Sequence, residues 1–237
     1  MGKPRVLIPL FPGTNCHREM ARAFELAGAD PLIVTITDLF RKKVRLYQTD
    51  LIGLAGGFSY GDHFRSGAFA ANDLLNQLRE DLELVKSKRI PILGVCNGFQ
   101  ILVETGLLPG NQEIGKPSCV LDLNSSGRFE HWLNRKVSFR VPPSGCVWLN
   151  GLDGMTMTLP VANSEGLLKS KKLDFIEAAT YPGDPADSPS GSCVAGICSP
   201  DGGAVFGLMP HPERRADSLY GGDQGLAIFQ SGVQAVL

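Results

Sequence analysis

The 237 residues carry no surplus of either charge: 23 lysines and arginines stand against 24 aspartates and glutamates, a formal net charge of −1. A chain so balanced offers no basic stripe to a phosphate backbone and no polybasic stretch to an anionic membrane, so neither nucleic acid nor membrane is expected among its partners. Long apolar runs are missing as well. The opening MGKPRVLIPLF sets two cations before a run that is short and broken by proline, which suits neither a signal peptide nor a membrane span, and a cytosolic (cytoplasmic) setting is expected. The six cysteines, Cys16, Cys96, Cys119, Cys146, Cys193 and Cys198, include no CxxC pair and no dense spacing, so reduced thiols are expected rather than a disulfide framework. His131 with Cys119 and Cys146 is a conceivable zinc set, but its spacings fit no common finger pattern, and no metal is expected. No Walker motif or GxGxxG is present, and no repeat, low-complexity tract or linker divides the chain. One domain over residues 1–237 is the expectation, long enough to bury a core without staples.

What is present is an alternation. Arg5 to Leu10, Pro31 to Thr37, Leu51 to Ala55 and Ile90 to Val95 are short apolar, partly β-branched runs, as in parallel strands buried on both faces. Helical patterns separate them: Glu19 to Leu26 after a capping-type Thr14-Asn15, and Ala68 to Lys86, where Leu74, Leu75, Leu78, Leu82 and Val85 recur at helical spacing. This βαβ order predicts an α/β fold of three layers, a doubly wound, mostly parallel sheet. Beyond about Gly106 the segments shorten (SCVLDLN, RKVSFRV, CVWLNG, MTMTLPVAN, FIEAATY, CVAGICS, AVFGLMPH), which predicts antiparallel additions in the C-terminal half. Ser199 to Gly203 reads as a hairpin turn, and Tyr181 to Ser192 as an exposed loop.

Chemistry concentrates at three places. In Gly94-x-Cys96-x-Gly98, directly after the last of those four strands, the glycines permit a tight strand-to-helix turn that presents the thiol at a helix N-terminus, where free N–H groups favour an anion. In His211-Pro212-Glu213, residues two apart in extended chain point the same way, so the carboxylate can orient the imidazole as a base. The glycine-rich turn Gly56-Gly57-Phe58-Ser59-Tyr60-Gly61-Asp62 exposes N–H groups which, with that of Asn97, can face an oxyanion. Taken singly, each has a plainer reading: a buried apolar cysteine, a surface loop, and a tight or phosphate-cradling turn. Together they imply acyl transfer through a thioester. Cys16, beside His17, also follows a strand; neighbours in sequence face each other poorly, so a loop or partner-facing role is expected there.

At these residues the chain resembles the class I (triad) glutamine amidotransferases, and more narrowly the family of glutaminase subunits of phosphoribosylformylglycinamidine synthase. The resemblance spans nearly the whole length and rests on FPGTNC from Phe11, GGFSYGDHFRSGAFAA from Gly56, GVCNGFQIL from Gly94 and GLMPHPER from Gly207. It implies a flavodoxin-like sheet, with Cys96 as nucleophile toward L-glutamine, His211 as base and then acid, and Glu213 orienting it. It also implies an oxyanion hole from the N–H groups of Gly57 and Asn97, and substrate contacts from Gly56, Phe58 and Gln100. By the same resemblance the ammonia would pass to an ATP- and Mg-dependent synthetase that aminates formylglycinamide ribonucleotide in purine biosynthesis, together with a small accessory subunit. This chain itself needs no cofactor. Related glutaminases serve other acceptors, and a silent docking subunit is a further alternative, although Cys96, His211 and Glu213 are all retained. Ala55 stands where the family has proline, His17 where it has an acid, and Asn163-Ser164-Glu165-Gly166 where it has His-Gly-Glu-Gly.

Overall fold

A computed structural model describes residues 2–62, 64–125, 135–170 and 175–237. Its parallel strands are β1 (Arg5–Leu10), β2 (Asp30–Thr35), β3 (Leu51–Leu54), β4 (Ile92–Val95) and, from far along the chain, β11 (Val205–Leu208). They lie in the order β2-β1-β3-β4-β11, the flavodoxin-like winding. Four antiparallel strands, β10 (Val194–Cys198), β9 (Ile176–Thr180), β6 (Arg135–Arg140) and β7 (Thr156–Val161), extend it to nine. Strands β5 (Cys119–Leu123) and β8 (Glu165–Ser170) form a separate antiparallel pair. The C-terminal half therefore supplies antiparallel additions as expected, and one parallel strand besides.

Alternation along each central strand divides the core in two. Val6, Ile8, Leu51, Leu93 and Val95 face one side; Leu7, Ile52, Leu54 and Ile92 face the other. On the first side lie α1 (His17–Leu26) and α6 (Leu226–Gln234), where Phe24 meets Phe229 edge-on at 4.9 Å and Trp148 at 6.3 Å. The second side is covered by α3 (Ala68–Gln77), α4 (Arg79–Ser87) and α5 (Asn97–Glu104), with the short α2 (Ile36–Phe40) beside them.

Several local expectations are corrected. The run expected from Ala68 to Lys86 breaks at Leu78 (φ −128°), and the new first turn of α4 brings buried Asp81 to the Arg45 guanidinium and the Leu46 N–H (2.9 Å). The break goes with an ion pair across 36 residues, which helical periodicity does not register. Thr14-Asn15 does not cap α1, whose N-cap is Cys16; the Asn15 N–H bonds instead to Gly56 O in the turn after β3, with Thr14 bridged opposite Gly57. CVWLNG forms a 3-10 turn because the Trp148 indole donates to the Ala204 carbonyl (3.0 Å) and packs on Gly232. Ser188 and Ser190, expected on an exposed loop, are buried. Ser199–Gly203 does form the β10–β11 turn.

The junction that positions everything else is the crossing of α5 over β3. A Cβ on Gly98 would overlap the Leu54 carbonyl oxygen and lie 2.6 Å from its carbon, backbone that cannot step aside. Gly98→Ala is therefore expected to cost about 3 kcal/mol or more, seen as a fall in Tm of about 6–12 °C for a chain of this size in thermal unfolding; a Tm within about 2 °C of wild type would contradict this packing.

Candidate active site

Cys96 follows β4 and caps α5 with φ 51° and ψ −107°, a left-handed backbone on a non-glycine residue. Such a conformation costs about 1–3 kcal/mol and persists only where the surroundings over-determine it. They do so here: the Cys96 N–H is held by the Leu208 carbonyl of β11 (2.8 Å), and its carbonyl takes the first helical bond from Gln100 (3.1 Å). The side chain is thereby aimed into a cleft of about 260 Å³ lined by Gly57, Phe58, Gln100, Asn163 and Arg214 among others.

Strand β11 runs parallel to β4 and next to it, so the residues after its carboxyl end arrive beside Cys96. His211, 1% exposed, pairs through Nδ1 with the Glu213 carboxylate at 2.6 Å. Burial works against a charged imidazole; the Glu213 carboxylate, reinforced by Cys96 and Cys16, outweighs it and holds the His211 pKa well above the ordinary histidine value. Gly56 sits between the two groups: a Cβ there would lie 2.8 Å from His211 Cε1 and 3.5 Å from Cys96 Cβ. The Gly56 carbonyl, meanwhile, accepts the N–H groups of Asn15 (3.4 Å) and Cys16 (3.1 Å), which holds the loop after β1 against the site.

The two N–H groups expected to face an oxyanion are open. Among the described residues neither Gly57 nor Asn97, the first residue of α5, has a backbone acceptor for its N–H. Gly57 (φ +148°) is pressed so closely on the loop after β1 that a Cβ would meet Gly13 O at 2.9 Å and Asn15 N at 2.7 Å. The Asn97 side chain accepts from the Ser59 N–H (3.3 Å) and donates to Asp62 (3.2 Å) and to Gln100 Oε1 (3.0 Å). Gln100 in turn donates to the Glu165 carbonyl (2.7 Å), so both ends of its amide are engaged while the side chain still lines the cleft. Burial, foremost, raises the Asp62 pKa. Phe58 is 57% exposed at the rim.

Three placements are decided by the tertiary structure, although their residues stand in or beside the motifs. The segment after β7, Ala162 to Ser164, walls the cleft although β7 lies at the far edge of the sheet; the His211 N–H bonds to Pro160 O (2.8 Å), and the Ala162 carbonyl faces Cys96 Sγ at 3.9 Å. Cys16, expected in a loop or partner-facing role, is buried, and its sulfur lies within 4.8 Å of a His211 ring nitrogen and a Glu213 oxygen. Arg214 donates to that sulfur at 3.2 Å. Cys16, His211 and Glu213 are the one such set of possible metal donors among the described residues, and the Arg214 cation at the sulfur opposes an ion there. Of the conceivable zinc set, His131 lies outside the described residues, while Cys119 and Cys146 belong to different cores.

Residues 3–224 match the model of the CobB/CobQ-like glutamine amidotransferase domain. A phosphoribosylformylglycinamidine synthase subunit PurQ from Dehalococcoides mccartyi is 37% identical over 99% of this chain and 98% of its own length, and its counterpart from Thermotoga maritima is 36% identical over 97% and 96%. A chain from the structure of PurLQS from Thermotoga maritima superposes with a TM-score of 0.82 at 33% identity, covering 99% of this chain and all of that one. The glutaminase domain of Trypanosoma brucei CTPS with bound acivicin, 14% identical, shares the fold at a TM-score of 0.60 over 98% of this chain and 94% of its own. The chain belongs to the CobB/CobQ-like glutamine amidotransferase family.

Proposed function

We propose that this protein is the glutaminase subunit of a phosphoribosylformylglycinamidine synthase, hydrolysing L-glutamine through a Cys96 thioester and passing ammonia to a synthetase chain. The observation that carries the reading is Cys96 at a left-handed bend on a 260 Å³ cleft, beside the buried His211–Glu213 pair supplied by the adjacent parallel strand. Full-length relatives named for that subunit support the choice of acceptor. The amination of formylglycinamide ribonucleotide, with its ATP and Mg, belongs to the synthetase partner, and a small accessory subunit completes the complex, in the cytoplasm.

In this mechanism the Cys96 proton moves to His211 and the sulfur attacks the carboxamide carbon. Charge on the carbonyl oxygen is taken up by the N–H groups of Gly57 and Asn97, fixed donors that need no reorganisation. Imidazolium, stabilised by Glu213, protonates the departing nitrogen, and ammonia leaves as the C–N bond breaks. Water, deprotonated by His211, then attacks the thioester, and glutamate leaves as the thiol is restored.

Two outcomes are expected. In the assembled complex Cys96→Ala should lower glutamine-dependent turnover by about 10³-fold or more while ammonia-dependent turnover stays within about threefold of wild type. An unlabelled Cys96 after treatment with a glutamine-mimicking electrophile, read by mass spectrometry, would favour a silent docking subunit. Glu213→Gln leaves burial as the main influence on His211, so its NMR titration should move from above the ordinary value of about 6.5 to below it. Because the folded pKa is raised, the His211–Glu213 contribution to stability is complete below about pH 6.5 and is lost as pH rises through the folded value. The stability difference between wild type and Glu213→Gln in denaturant unfolding should shrink across that window; a difference that grows with pH refutes the assignment.

A further inference from the structure

We propose that Arg214 receives the α-carboxylate of the amino-acid substrate, and that Cys16 positions it for this. The inference rests on the glutaminase reading and assigns the part of that site that recognises glutamine as an amino acid rather than as an amide.

Arg214 follows Glu213 directly, so the chain that delivers the His211–Glu213 pair also delivers the guanidinium. It lines the cleft that holds Cys96, and it lines a second cavity of about 540 Å³ with Asn15, Cys16 and Glu19. The guanidinium therefore stands in the partition between the two. Among the described residues lining the Cys96 cleft it is the one cation, as Asp62 is the one acid. A lining with one charge of each sign suits a zwitterion. A carboxylate belongs with the base, since a planar guanidinium presents paired N–H groups matched to carboxylate geometry.

The guanidinium has capacity left for that ligand. Its hydrogen bond among the described residues is to Cys16 Sγ (3.2 Å), and none of the ion pairs among them includes it. The nearby Glu213 carboxylate spends one oxygen on His211. Glu213 acts on the guanidinium electrostatically but forms no ion pair with it among the described residues, so the paired N–H groups are left for a substrate carboxylate. Cys16 explains why the side chain does not swing away: its sulfur is buried, it bonds to Asn15 Oδ1 (3.2 Å), and its backbone N–H is fixed to Gly56 O. Cys16 thus acts as a positioning residue on a rigid seat, while Cys96, aimed into the cleft from the bend before α5, is the attacking sulfur.

The test uses the assembled complex and two substrates: glutamine, and 4-aminobutanamide, which is glutamine without the α-carboxylate. A lost charged hydrogen bond predicts that Arg214→Gln and Arg214→Met raise KM for glutamine about 10- to 100-fold, with kcat within about threefold. For 4-aminobutanamide, kcat/KM should change by less than about threefold, because the missing partner was never there. Arg214→Lys, a point charge without the fork, should recover part of the loss. Cys16→Ala should raise KM for glutamine by a smaller factor, and adding it to Arg214→Gln should cost little more. Equal losses on both substrates, or no loss on either, would overturn the role of Arg214; full additivity of the two substitutions would overturn the role of Cys16. Wild-type complex that forms no glutamate and whose Cys96 resists a glutamine-mimicking electrophile would instead remove the glutaminase reading on which both depend.

Discussion

A single left-handed residue between β4 and α5 sets the terms for the rest of the molecule. Cys96 tolerates φ 51° because its N–H is tied to β11, its carbonyl to α5, and Gly94 and Gly98 let the helix lie against the neighbouring backbone. Relaxing that bend would turn the sulfur out of the cleft and withdraw the Asn97 N–H from it. Strain of this kind is held by packing on both sides of the sheet, so the two cores are part of the site's chemistry as well as of its stability.

Around that bend the charges follow a consistent logic. Glu213 is buried with one oxygen on an imidazole nitrogen; His211 is buried and held toward its charged form by Glu213; Arg214 is held by a sulfur. Buried charges that each have a defined neighbour avoid the full desolvation cost of isolated ions. The neighbours follow β1, β4 and β11, parallel strands whose carboxyl ends share one edge of the sheet, which is where an open α/β sheet gathers ligands. The antiparallel extension then closes the cleft from an unexpected quarter: β7, last in the sheet, brings Ala162 to Ser164 back over the site and bonds to it at Pro160.

How much of this was legible follows from the range of each interaction. The first four strands, the elbow at Cys96 and the His-x-Glu pair are written in local patterns: β-branched runs of four to six residues, glycines two positions either side of a thiol, and a carboxylate two residues from an imidazole. The break at Leu78 goes with an Arg45–Asp81 contact that no local pattern shows, and the place of Cys16 was hidden because Arg214 lies some two hundred residues away. That β11 is parallel to β4 while antiparallel to β10 could not be read from its composition, since an apolar run has the same pattern in either direction.

The sequence by itself determined the alternating βαβ frame, the glycine-flanked thiol after β4 and the spacing of the His211–Glu213 pair, because periodicity and close spacing act over a few residues. Only the tertiary structure decided that His211 stands beside Cys96, that β7 walls the cleft, and that Arg214 and Cys16 meet at its edge. Those outcomes depend on strand order and direction, which are chosen by packing energy summed over the whole sheet.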